Sequence, residues 1–112
     1  MRLPAGDRAV VDIAKLRDYC LNPSHPRGKH KARVFAATLG LSMNDAEFLR
    51  EHLLQAAMNV DVTPASVDAF GRRYWMETEI VRGSNRAILR GAWIIRGSET
   101  APRLVTCYVQ LA

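Results

Sequence analysis

The sequence predicts an α+β fold, with helices packed on one face of a twisted antiparallel sheet. Apolar residues recur at helical spacing as far as about Asn59, and beyond it the pattern switches to a period of two. The helical and strand segments are segregated rather than alternating, which argues against βαβ crossovers and a parallel sheet. The chain has 112 residues, 48% of them hydrophobic, enough for one domain (residues 1–112) with a substantial core.

Each element can be justified in turn. Asp12 is placed to cap a helix from about Ile13 to Cys20, in which Ile13, Leu16 and Cys20 share a face. Asn22-Pro23 ends it, because proline disfavours a helical residue before it, and a two-proline loop follows as far as Gly28. A second helix is predicted over Lys29–Leu39, with Ala32, Phe35, Ala36 and Leu39 as its apolar stripe and Gly40 as its stop. Ser42 and Asp45 resemble a capping box for a third helix ending near Met58, with Ala46, Leu49, Leu53, Ala56 and Ala57 turned inward. Val60, Val62, Val67 and Phe70 read as a strand interrupted at Thr63-Pro64, hence an edge strand or a bulge. Arg72–Val81 and Arg86–Ile95 form a hairpin through Gly83-Ser84-Asn85. Gly97–Pro102 is a loop, and Arg103–Leu111 is a last strand. Its apolar residues on both faces predict a central or covered position.

The formal charge is +5, unevenly spread: residues 1–40 carry a net +5, residues 41–70 a net −4 and residues 71–112 a net +4. Basic ends that meet in space would make a face for a polyanion; the other reading is a generally solvated arginine-rich surface. The densest stretch is Leu21–Phe35, which holds four lysines and arginines and two histidines. Cys20 and Cys107 lie in apolar stretches without Cys-x-x-Cys spacing, as buried thiols do. No apolar run approaches the roughly 20 residues of a membrane span, and no signal-peptide pattern opens the chain. The expected setting is soluble and cytoplasmic, although a piece of a larger secreted protein would read the same way. His25, His30 and His52 stand at unrelated spacings, so neither a metal nor a cofactor is expected.

Several segments carry a family resemblance: Lys15–Tyr19, Leu21–Gly28, Lys31–Phe35, Gly71–Tyr74, Trp93–Ile95 and Pro102–Thr106. Together they resemble an uncharacterised bacterial domain family of unknown function, over about residues 3–109. The layout is similar to the barnase/EndoU/colicin/RelE group of toxin ribonucleases, in which N-terminal helices precede a four-stranded antiparallel sheet. The resemblance implies the toxin of a toxin–antitoxin or effector–immunity pair, with RNA as substrate and a cognate antitoxin or immunity protein as partner. Two features depart from it: the hairpin at Arg82–Asn85 is short, and Gly91 stands where a threonine or another β-former is expected.

Metal-independent RNA cleavage needs a base for the 2′-hydroxyl, cations for the pentacoordinate phosphate and an acid for the leaving 5′-oxygen. His30 is the natural proton carrier, since imidazole changes charge near neutral pH. Lys31, Arg90 and Thr106 complete the expected catalytic set. Lys29, Arg33, Arg73, Tyr74 and Arg103 are expected to bind the substrate through phosphate contacts and stacking. His25, between two prolines, reads as a loop-packing residue. Two rival readings remain: a non-catalytic module that binds a small acidic partner protein, and a non-specific nucleic-acid binder. The oligomeric state is not legible.

Overall fold

A computed structural model describes residues 1–111. A short 3-10 turn (Gly6–Arg8) precedes α1 (Ile13–Lys15), which widens at once into a π turn (Leu16–Cys20). Then follow α2 (Lys29–Leu39), a 3-10 turn (Met43–Asp45) and α3 (Ala46–Asn59). The strands are β1 (Val62–Asp68), β2 (Gly71–Arg82), β3 (Asn85–Arg96) and β4 (Arg103–Gln110). They form an antiparallel meander in the order β1-β2-β3-β4. The expected α+β layout is therefore what the chain adopts.

Local chemistry accounts for the boundaries. Asp12 caps α1 by accepting from the Ala14 N–H at 2.9 Å. The Leu21 N–H donates to the Leu16 carbonyl at 2.8 Å and closes the π turn, which lets Leu16, Cys20 and Leu21 all reach the core. Gly40 ends α2 at φ 68, a left-handed position that suits glycine. Gly83, at φ 60, opens the two-residue hairpin between β2 and β3.

The helices cover one face of the sheet. Phe35 and Leu39 of α2 and Leu49 and Leu53 of α3 pack with Leu16 against Met76, Leu89, Trp93, Leu104 and Cys107. Phe35, Leu16, Leu49, Leu53, Leu89 and Trp93 are fully enclosed, and burial of each such side chain is worth about 1.5–3 kcal/mol.

Several side chains lie elsewhere than their sequence pattern predicts. Ala36, placed on the apolar stripe of α2, is exposed, because the core lies under Ala32, Phe35 and Leu39. Val67 and Phe70 are exposed as well, beyond the register shift that follows Pro64 on the β1 edge. β4 is an edge strand, so of the two positions expected for it, central or covered, the covered one holds: Val10 lies along its start and accepts from the Leu104 N–H at 3.0 Å. Gly91 faces the helices, not the open face. A Cβ there would meet Met76, Trp93 and Leu104 at ordinary contact distances, so the missing threonine would have been a core residue.

Candidate functional site

The sheet face away from the helices is open, and strand register sorts its residues into rows. One row runs Glu77, Arg90, Tyr108 across β2, β3 and β4. A second runs Arg73, Ile94, Arg103. Four residues of β3 separate them, roughly 13 Å at the rise of a strand.

The Glu77–Arg90–Tyr108 row continues over the edge of β4 onto α2. His30, Lys31 and Val34 face Tyr108 and Val109 across a groove of about 320 Å³. His30 is exposed. Lys31 reaches back over Tyr19, with its Nζ 3.4 Å from the phenol oxygen and 5.2 Å from the ring centroid. On β3, the Arg90 guanidinium lies 4.2 Å over the Trp75 ring, and its buried Nε has no hydrogen-bond partner. Glu77 stands 4.0 Å away, a loose ion pair. Of the expected catalytic residues the structure brings together His30 and Lys31; the Arg90 guanidinium leans away from β4, into a separate pocket with Asp61, Thr63, Trp75 and Glu77. Glu77, Trp75 and Tyr108 beside them were not singled out together because only the pairing register aligns them.

The start of α2 is built for exposure of charge. The close approach of Gly28 to the Tyr19 carbonyl leaves no room for a Cβ, so no side-chain cap can stand there. Instead, His25 Nδ1 accepts from the Arg27 and Gly28 N–H groups at 3.0 and 2.9 Å, and its ring packs edge-on to Tyr19 at 4.7 Å. Arg27, Lys29, Lys31 and Arg33 have no carboxylate within 4.0 Å among the described residues. Around the helix these cations divide: Lys31 faces β4 with His30, whereas Lys29 and Arg33 face the Leu21–Pro23 loop.

The second row is compensated. Arg73 binds Asp68 at 3.1 Å, and Arg103 binds Glu99 at 2.8 Å. With Lys15, Arg96 and the exposed Phe70 they line a cleft of about 340 Å³. The Phe70 N–H, then Arg73 and last the Gly71 N–H, hold the Asp68 carboxyl below the usual range; Arg103 and then Arg96 do the same for Glu99. The acidic middle of the chain is therefore not turned away from the basic end: Asp45 and Asp68 neutralise Arg82 and Arg73 of β2.

Two expected residues sit elsewhere. Tyr74 points into the helix-facing core at 5% exposure, so its ring is not available to a base. Thr106 follows the Val105 bulge, and its hydroxyl is buried without a completed hydrogen bond. Next to it, Cys20 and Cys107 form a buried pair of free thiols. A hydrogen bond from Cys107 holds the Cys20 thiol down, with help from Thr106 and the field of Lys31, while the same contact and burial push Cys107 up. Among the described residues no His/Cys/Asp/Glu group could hold a metal, and no helix is long and apolar enough to cross a membrane.

Helices on one face and a bare, arginine-bearing meander on the other define a class of fold also found in a solved complex. The chain is similar to one chain of a contact-dependent growth inhibition toxin – immunity protein complex from Klebsiella pneumoniae 342, with 18% identity, a TM-score of 0.69, and coverage of 96% of this chain and 98% of that one. No curated protein matches. The chain belongs to the family described as Domain of unknown function (DUF6883), whose model matches residues 2–111.

Proposed function

We propose that this chain is the toxin of a toxin–immunity pair and a metal-independent ribonuclease. The observation that carries the reading is the groove in which His30 and Lys31 face Tyr108, with Arg90 paired to Tyr108 on the next strand, set on a fold shared with a chain of a toxin–immunity complex. Here His30 takes the proton from a ribose 2′-hydroxyl, and the freed oxygen attacks the adjacent phosphorus. Lys31 and Arg90 balance the charge that gathers on the pentacoordinate phosphate. The 5′-oxygen–phosphorus bond breaks, and the Lys31 ammonium gives that oxygen its proton. The products are a 2′,3′-cyclic phosphate and a free 5′-hydroxyl. Tyr108 and the Arg90–Trp75 stack offer flat surfaces to bases. Arg73 and Arg103 lie further along the sheet, where they contact the backbone of the same strand only by exchanging their carboxylate partners for phosphate.

The test is expression from a tightly repressed promoter in bacteria, beside His30→Ala, with growth and total RNA followed. Growth arrest is expected, with RNA fragments ending in 2′,3′-cyclic phosphate, and His30→Ala should slow cleavage by about 10²–10⁴-fold. Normal growth with intact RNA at good soluble expression would overturn the function. Cleavage that survives both His30→Ala and Lys31→Ala would overturn the site.

A further inference from the structure

The flank of α2 turned away from β4 carries a second feature. A groove of about 530 Å³, the largest described, runs between α2 and the loop that precedes it. Leu21, Ala32 and Leu41 line it from the core side, Pro23 from the exposed loop, and the exposed Ala36 and Ala37 form its helical wall. Its polar rim includes Lys29 and Arg33, one helical turn apart on the same flank. These are two of the cations with no carboxylate within 4.0 Å, and α2 itself contains no acidic residue.

We propose that this groove docks an acidic amphipathic helix of the cognate immunity protein, with small aliphatic side chains on the groove floor and carboxylates on Lys29 and Arg33. The proposal rests on the toxin–immunity reading and names the surface used. Three observations select this occupant. Like charges at i and i+4 repel, and no carboxylate among the described residues lies within 4.0 Å to relieve them, so a complementary charge from outside would. The wall is alanine, which lets a second helix backbone come close, and the floor is apolar. No aromatic ring lines the groove, so a nucleic acid would find phosphate contacts but no stacking platform. The groove also lies on the opposite flank of α2 from His30 and Lys31.

The probe is the purified protein encoded next to this chain, titrated by calorimetry against the folded full-length chain and its variants. Tight binding is expected, weakened about 10–100-fold by Lys29→Glu with Arg33→Glu and falling as salt rises. Ala37→Glu, which places a carboxylate on the groove wall, should weaken the complex similarly while growth arrest and RNA cleavage by the free chain persist. A complex that neither variant weakens, or no complex at all, overturns the proposal. So does a loss confined to the affinity for an RNA oligonucleotide, which would make the groove a nucleic-acid surface. Failure of the ribonuclease reading is seen separately, as intact RNA and normal growth with the free chain.

Discussion

Helices α2 and α3 bury residues in the same core and begin in opposite ways. In the 3-10 turn that leads into α3, Ser42 and Asp45 form a full capping box: the Asp45 carboxylate accepts from the Ser42 N–H at 2.9 Å, and Ser42 Oγ accepts from the Asn44 N–H at 3.3 Å. Asp45 also receives Arg82 at 2.8 Å, and that guanidinium lies 4.4 Å over the Phe48 ring. Glu47 adds negative charge where the helix dipole favours it. The first turn of α2 has no acid and no side-chain cap, and Lys29, Lys31 and Arg33 crowd the positive end of its dipole. The start of α3 is arranged for stability. The start of α2 opposes it, and that helix must be held by its buried face.

The largest expected effect tests that inference directly. Phe35 is the only large aromatic side chain of α2 and is fully buried, so Phe35→Ala should cost about 3–5 kcal/mol in urea unfolding. Leu49→Ala, the corresponding truncation on α3, should cost about 2–5 kcal/mol. A loss below about 1 kcal/mol for Phe35→Ala would mean that α2 is held by something other than its stripe, and the contrast between the two helices would fail.

This difference explains what was legible in the sequence. Period, caps and breakers are local, so the bounds Lys29–Leu39, the capping box at Ser42 and the five buried positions of α3 were all readable. Which edge a strand occupies is not local. The apolar residues of β4 allow a central strand or a covered one, and its second side is covered by Val10 and α2 rather than by a strand. Register is also non-local, so the alignment of Glu77, Arg90 and Tyr108 has no signature in the sequence, whereas Arg90 on an otherwise apolar strand face does. Tyr74 illustrates the opposite error: it alternates with Met76 on the core face, and its aromatic character alone suggested stacking.

A smaller effect is expected at the start of α3. Ser42→Ala should cost about 0.5–2 kcal/mol. Acid should reach the same place. The Ser42 N–H first, then Arg82, holds the Asp45 carboxyl below its ordinary value of 3.8. The unfolded chain therefore binds the proton more readily. The stabilisation is full above about pH 4 and is lost as pH falls through the lowered folded value. Amide protection at residues 43–49 should drop in that window before protection at residues 29–35, where no carboxylate titrates. Simultaneous loss would show that the two helix starts are coupled. His52 adds a slope of the same sign at higher pH. Burial lowers its pKa, so stability should begin to fall as pH drops below about 6.5, and His52→Gln should flatten that slope.

The smallest effect carries the opposite sign. Lys29→Glu places a carboxylate in the first turn of an uncapped helix, one turn before Arg33. It replaces a like-charge pair with an attractive one and supplies the charge that the dipole lacks. The variant should be more stable by about 0.3–1 kcal/mol, raising Tm by roughly 1–6 °C. Its complex with the neighbouring protein should weaken at the same time. Stability gained together with binding lost is the mark of a position kept for use rather than for folding. A destabilised variant would instead make Lys29 part of the fold's own support, and the basic start of α2 would then need no partner to explain it.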